Sequence, residues 1–336
     1  MARLRIGLIG CGQVAEFGHL PAIVSTPGLE LVALYDPVPG KAQEYATRFG
    51  GQPFTHADPL FSTGLDVVAV TSSAPAHLQN VLDAAKHRVH VMCEKPIAMD
   101  DLQGQEMVAA MKKAKKEFFV GFCYRFSPVA QQIKRWVDEK IVGEVRSIRL
   151  IYIWGMHGEY MQDPHEKWVR SPLYAGRMVE GGPLVDCGVH QIDLARWWLG
   201  SKASNWTASG SWVGDYDAPD HVWLHMHHEN GATSTVEVSY SYGHTAKHPH
   251  NVFTYELIGT GGVIRYDRDG YLLEARHGQG TTVVPGASEK NFPAMYAALV
   301  RRLSGEKIDM PMAEDGIIAT KIARHATDSL IESRPK

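Results

Sequence analysis

The chain has 336 residues, more than one hydrophobic core usually organises, so two domains are expected. Its composition, 44% hydrophobic and 21% charged with a formal net charge of -3, is that of a soluble globular protein and leaves no basic footprint for nucleic acid. Cysteines at 11, 93, 123 and 187 are scattered without a C-x-x-C pair, which points to reduced thiols and a cytoplasmic protein; no apolar run approaches the roughly 20 residues of a membrane span.

The first apolar run, Leu4–Ala15 (LRIGLIGCGQVA), ends in Gly10-Cys11-Gly12-Gln13-Val14-Ala15, the G-x-G-x-x-A form of the dinucleotide fingerprint. Such glycines permit a tight turn and let backbone approach a pyrophosphate at a helix N-terminus, where N–H groups favour negative charge. Gly10, Gly12, Gln13 and Val14 are therefore candidate cofactor contacts. The next run, Leu29–Asp36 (LELVALYD), closes on an acid about 20 residues further on. A carboxylate there holds a ribose 2′-OH and repels a 2′-phosphate, so NAD is expected over NADP through Asp36.

The alternation continues through strand Leu65–Ser73, helix Ala76–Arg88, strand Val89–Pro96 and helix Gln103–Lys116 into Phe118–Phe126. Strands alternating with helices predict right-handed parallel crossovers and a doubly wound sheet. Ligands bind beyond the carboxyl ends of such strands, where Ser72, Ser73, Glu94, Lys95 and Tyr124 are expected. Glu94-Lys95-Pro96 has two readings: a surface ion pair stopped by proline, or a partly desolvated lysine whose lowered pKa suits proton exchange.

After Val145 the pattern changes to period-two strands at Val145–Trp154, His221–His228, Ala232–Tyr242 and Asn251–Gly259, with glycine-containing turns that predict antiparallel pairing. Trp154–Met178 is too polar and irregular for a core element, and long loops of this kind carry function. Its Trp154, His157, Tyr160, Trp168, Arg170 and Tyr174 are types that stack on and hydrogen-bond a sugar. Next comes Gly181–Trp198 (GGPLVDCGVHQIDLARWW), where helical spacing lines up Asp186, His190, Asp193 and Trp197 on one stripe. A solvated polar face is one reading; against it stand the preceding Gly-Gly-Pro, where backbone can approach a ligand, and the tryptophan-rich end. The 17 histidines, including His225 with His227 and the group His244, His248 and His250, lack an acid to complete a converging set, so no metal is expected.

Three motifs together, Gly10-x-Gly12-x-x-Ala15, Glu94-Lys95-Pro96 and Gly181-Gly182-Pro183-Leu184-x-Asp186-x-Gly188-x-His190-x-x-Asp193, resemble in order and spacing the Gfo/Idh/MocA oxidoreductases. Tyr124–Leu150 matches that family's domain junction, and Met312–Ser333 is similar to its closing helix. The resemblance implies an α/β chain: an NAD-binding Rossmann domain with a doubly wound parallel sheet over residues 1–124, then an α/β domain with a large open, mostly antiparallel sheet over 125–336, closed by helix 313–333. It implies action on a sugar, an inositol-like polyol or a sugar acid, and a homodimer or homotetramer paired through the open sheet. Cofactor contacts implied are Ser72, Ser73, His77, Glu94, Lys95 and Arg125; substrate contacts are Tyr124, His157, Trp168, Arg170, Asp186 and His190. The catalytic set is Lys95, Asp186 and His190. Oxidising a secondary alcohol sends a hydride to the nicotinamide and the hydroxyl proton to a base, a role that suits His190 oriented by Asp186, with Lys95 polarising the oxygen. Exchanging Lys95 and His190 fits the sequence equally well, and Asp193 reads as either a supporting or a packing residue. Where the family often has Thr-Pro-Asn, this chain has Ser72-Ser73-Ala74 and keeps His77, so the asparagine contact is lost. The same residues would also serve a redox glycosidase working through transient oxidation, or a sugar sensor without turnover.

Overall fold

The computed structural model describes residues 3–154, 160–163, 165, 167–170, 172–241 and 251–334. By contact it divides into two compact units, Met1–Phe126 with Lys290–Thr320, and Ser127–Glu289 with Lys321–Lys336.

The first unit holds six parallel strands: β1 (Leu4–Ile9), β2 (Leu29–Tyr35), β3 (Gln52–Phe54), β4 (Val67–Val70), β5 (His90–Cys93) and β6 (Phe118–Val120). Their order is β3-β2-β1-β4-β5-β6, so the winding reverses between β1 and β4 and opens a crevice at the carboxyl ends of those two strands. The connecting helices are α1 (Leu20–Ser25), α2 (Lys41–Phe49), α3 (Ala57–Phe61), α4 (Ala74–Lys86) and α5 (Asp101–Ala114). Central strands are apolar throughout because both faces are covered: Ile6, Leu8 and all of Val67–Val70 are fully buried. A π-helical turn, Ala15–His19, separates the glycine turn from α1.

In the second unit, α6 (Pro128–Asp138) is capped by the Ser127 hydroxyl, which accepts the Ala130 N–H. Strand β7 (Val145–Ile153) leads to a small antiparallel pair, β8 (Tyr160–Gln162) with β9 (Trp168–Arg170), and then to α7 (Pro172–Val179). A second π-helical turn, Leu184–Gly188, runs directly into α8 (Val189–Leu199). Seven more strands follow: β10 (Ala203–Ser211), β11 (His221–His228), β12 (Thr233–Ser239), β13 (Val252–Gly259), β14 (Gly262–Asp267), β15 (Leu272–His277) and β16 (Gly280–Pro285). With β7 they form an eight-stranded sheet in the order β10-β11-β12-β7-β13-β14-β15-β16.

The pairing is antiparallel everywhere in this sheet except between β12 and β7, which run parallel from Thr233 beside Ser147 to Ser239 beside Ile153. The sheet is mostly antiparallel, as expected, and the reason for its one parallel pair is connectivity. The chain leaves β7, passes through α7, α8 and the β10–β11 hairpin, and returns as β12 beside the strand it left; so long an excursion is what a parallel neighbour needs. Side chains alternate as the period-two pattern predicts: Val222, Leu224 and Met226 are buried, His225 and His227 exposed. Helix α8 packs on β7 and β12, and the Trp198 indole N–H donates to the Ala130 carbonyl at 3.1 Å, tying α8 to α6.

The chain closes with α9 (Phe292–Leu303) and α10 (Ala313–Ser333), the latter over the span expected of the closing helix. A contiguous division at residues 124 and 125 would give all of this to the second unit. Instead α9 packs on α1, while α10 contributes Ala313–Thr320 to the first unit and the rest to the second. Gly18 permits the α9 contact, since a Cβ there would lie 2.6 Å from the Phe292 ring. None of the described helices is long and apolar enough to cross a membrane.

Candidate active site

In the first unit the sequence-predicted residues gather at the carboxyl ends of the strands. Gly10 has φ +96° and sits so close to the β4 loop that a Cβ would fall 2.4 Å from the Ser72 amide nitrogen, so only glycine fits. Gly12, in contrast, has nothing within 4 Å of its would-be Cβ, and Gln13 beside it is exposed. The Thr71 hydroxyl donates to the Gly10 carbonyl at 2.6 Å and knits the two loops together. Asp36 is 6% exposed; its carboxylate accepts the Cys11 and Val38 N–H groups, each at 2.8 Å. Beyond Asp36 lies a cavity of about 120 Å³ lined by Val38, Gly40, Pro53, Phe54 and Thr55 among others.

These features fit a dinucleotide. The open backbone at Gly12 leads into the helix start at Gln13 and Val14, where N–H groups favour phosphate. Asp36 holds a fixed carboxylate at the rim of a cavity with apolar walls, where a nucleoside would rest. Ser72 accepts the Asn80 amide N–H on its Oγ at 2.9 Å, which leaves the hydroxyl proton to donate. Ser73 sits as the N-cap residue of α4. His77 is occupied otherwise: Nε2 lies 2.9 Å from the Ser72 carbonyl, and Nδ1 lies 3.1 and 3.2 Å from the carbonyls of Pro96 and Ile97. The ring braces two loops through backbone, and burial pulls its pKa down.

Glu94 is 5% exposed, with Lys95 half-buried after it and a cis peptide bond to Pro96. Glu94 Oε1 lies 2.9 Å from His19 Nε2, and His19 Nδ1 lies 2.6 Å from the Tyr296 hydroxyl. Sequence reading singled out neither His19 nor Tyr296, which stand 277 positions apart. Tyr124 and Arg125 are 3% and 5% exposed, and the Arg125 guanidinium lies 3.2 Å from the Asp315 carboxylate.

In the second unit, Gly181 (φ +118°) and Gly182 (φ +72°) bring the chain into the π-helical turn that carries Asp186. The wider turn alters the angular step of an α-helix, so Asp186 is not in simple α-helical register with His190, Asp193 and Trp197. The solvated-face reading is excluded by burial: Asp186, His190 and Asp193 are 3%, 2% and 1% exposed. Asp186 Oδ2 accepts a hydrogen bond from the Tyr240 hydroxyl, and Oδ1 lies 3.3 Å from the Arg177 guanidinium. The carboxylate raises the Arg177 pKa above its ordinary value. Burial, and then Asp186, push the Tyr240 phenol well above its usual range. Sequence reading missed both partners; the one local signal was Tyr240 continuing the inward alternation of the Ala232–Tyr242 run.

His157, His244, His248 and His250 lie outside the described residues, as do the side chains of Tyr160, Trp168, Arg170 and Tyr174. Trp154 stacks with Tyr152 at 6.1 Å. Among the described residues no three His, Cys, Asp or Glu side chains are grouped to hold a metal ion.

Comparison with known proteins gives two family matches. Residues 4–122 match the oxidoreductase family with an NAD-binding Rossmann fold, and residues 130–265 match the GFO/IDH/MocA C-terminal domain. D-glucoside 3-dehydrogenase of Escherichia coli (strain K12) is 34% identical over 206 residues, 60% of this chain and only 55% of that protein's length. The scyllo-inositol 2-dehydrogenase (NAD(+)) of Bacillus subtilis (strain 168) is 27% identical over 273 residues, 78% of this chain and 73% of its own. An oxidoreductase from Agrobacterium radiobacter, solved with NAD+, L-tartaric acid and magnesium, superposes with a TM-score of 0.83 at 24% identity, covering 99% of this chain and 98% of that one.

Proposed function

The chain belongs to the Gfo/Idh/MocA oxidoreductase family, and from that premise we propose that it is an NAD-dependent dehydrogenase acting on a secondary alcohol of a sugar, an inositol-like polyol or a sugar acid. The observation that carries the reading is the buried Asp186, paired with Arg177 and Tyr240 four residues before the buried His190. A carboxylate so held favours a positive charge nearby, which is what an imidazole acquires when it accepts a proton. When bound, NAD supplies the hydride acceptor, so the alcohol loses hydride from carbon and a proton from oxygen. His190 is the proton acceptor, Asp186 orients it and contacts the substrate, and Lys95 polarises the reacting oxygen. Gly10, Gly12, Gln13, Val14, Ser72, Ser73, Glu94 and Asp36 bind the cofactor, with Asp36 selecting NAD over NADP. His77 acts on that binding through the loops it braces, and Arg125 through its ion pair with Asp315 at the start of α10. Tyr124 joins the substrate contacts, as do His157, Trp168 and Arg170 of the segment between β7 and α7. The relatives named above, both sugar or inositol dehydrogenases by name, support the substrate class.

Four free, buried cysteines support a cytoplasmic location, and the exposed Ile258, Val263 and Val283 on the large sheet support pairing of subunits as a homodimer or homotetramer. The test is NADH formation, followed by its near-ultraviolet absorbance, with monosaccharides, inositols, sugar acids and glycosides beside Lys95→Ala and His190→Ala. NADH accumulating with one class and lost in both variants is expected. Aglycone release without net NADH would replace this reading with the redox glycosidase.

A further inference from the structure

The least expected polar group in the first unit is the chain Tyr296–His19–Glu94. His19 is fully buried, Tyr296 likewise, and Glu94 is 5% exposed, in surroundings that include Phe292, whose ring centre lies 4.8 Å from that of His19. A carboxylate taken out of water is strongly disfavoured unless its oxygens are bonded. Both are: Oε1 faces His19 Nε2 at 2.9 Å, and Oε2 accepts the Lys95 backbone N–H at 3.1 Å. Gly121 leaves room for the carboxylate, since a Cβ there would sit 2.7 Å from Oε1.

One assignment of protons satisfies the whole chain with a single net charge. Ionised Glu94 accepts from the Nε2–H of a neutral His19, whose Nδ1 accepts from the Tyr296 hydroxyl at 2.6 Å. The other neutral tautomer would set an imidazole lone pair against a carboxylate. Tyr296 therefore selects the tautomer, the tautomer orients Glu94, and Glu94 holds the amide at which the Lys95 loop begins. Placement in the fold matches this sequence. His19 is the last residue of a π-helical turn, a distortion frequent at functional sites, and Gly18 lets α9 come close enough to deliver Tyr296.

We infer that Tyr296 and His19 are positioning residues that act through Glu94 to orient Lys95 for the reaction. The inference rests on the catalytic role proposed for Lys95. Neither residue touches substrate or cofactor; each narrows the orientations open to the lysine.

The test has a structural, a chemical and a kinetic readout. Long-range ¹H–¹⁵N spectra of the imidazole nitrogens should show wild-type His19 neutral with its proton on Nε2, and Tyr296→Phe should lose that tautomer's dominance. Acylation of Lys95 by acetic anhydride, followed by mass spectrometry against the exposed Lys86 and Lys202, should change about threefold or more in Tyr296→Phe and His19→Leu. His19→Gln keeps a donor toward Glu94 and should stay near wild type. With an active substrate, Tyr296→Phe and His19→Leu should lower kcat about tenfold while the KM for NAD stays within about twofold. Phe keeps the buried ring, so Tyr296→Phe remains folded if His19→Leu does not. Unchanged Lys95 acylation and kcat in Tyr296→Phe, beside an inactive Lys95→Ala, would overturn the relay and leave the proposed mechanism intact. Shifted acylation beside a fully active Lys95→Ala would uphold the relay and overturn the role of Lys95.

Discussion

Each unit buries a carboxylate with little exposure, Asp36 at 6% and Asp186 at 3%, but the two are held in different ways. Asp36 receives two backbone N–H groups, from Cys11 and Val38. Asp186 receives side chains, the Tyr240 hydroxyl and the Arg177 guanidinium. Backbone donors come with the fold, and no single side-chain change removes them, so Asp36 is as fixed as the turn that presents it. The partners of Asp186 arrive from α7 and from just beyond β12, and one of them brings a full positive charge. A group meant to recognise an unvarying cofactor gains from the first arrangement. A group meant to favour charge on its neighbour, and to be retuned for different substrates, gains from the second.

The comparison breaks most readily at Asp186. Asp186→Asn keeps the shape but removes the charge that faces Arg177, and kcat should fall about a thousandfold in the NADH assay. Near-normal turnover would mean that the Asp186 carboxylate, like that of Asp36, takes no part in the chemistry. Tyr240→Phe keeps the ring and leaves Arg177 in place, so a loss of about tenfold in kcat is expected. A loss as large as that of Asp186→Asn would instead make Tyr240 a reacting group. Asp36→Ser should lower kcat/KM for NAD about tenfold, raise it for NADP and leave kcat with NAD within about twofold, the split expected of binding without chemistry. A large drop in kcat would merge the two classes.

The smallest effect concerns the thiol above Asp36. Burial, and then Asp36, push the Cys11 pKa from 9.0 to about 12. Burial raises Cys123 to about 12 as well, with Glu94 adding to it. A group whose pKa is raised on folding stabilises the fold fully below its unfolded value, and that stability is lost as pH climbs toward the folded one. Each thiol should therefore cost about 1 kcal/mol by about pH 10. Urea titrations from neutral pH upward should show the midpoint falling above about pH 9, less steeply in Cys11→Ala; an identical slope would place the sensitivity elsewhere.

What could be read along the chain followed the range of the interaction. The glycine turn, Asp36 and the order of strands and helices rest on local patterns plus the handedness of crossovers, and they describe the first unit well. The third motif marked Asp186 and His190, though a helical wheel assumed a regular α-helix where a π-helical turn intervenes. His19, Tyr296 and Tyr240 acquire meaning only through partners distant in sequence, and Arg177 through a carboxylate on the far side of the Gly181-Gly182 turn. His77 shows the converse: a well-marked position whose ring nitrogens face backbone carbonyls. The parallel β7–β12 pairing escaped for the same reason, because strand periodicity records which face is buried and not which neighbour runs alongside.

The return of Lys290–Thr320 to the first unit also sets an order of maturation. As the chain emerges from the ribosome, the glycine turn, Asp36 and the Lys95 loop all appear early, but α1 has no α9 to pack against and His19 has no Tyr296. The half encoded first is thus completed only near the end of the chain, and its core must wait, partly uncovered, through the synthesis of the entire large sheet. A premature stop before Phe292 would strike the dinucleotide site as surely as a lesion in the glycine turn itself.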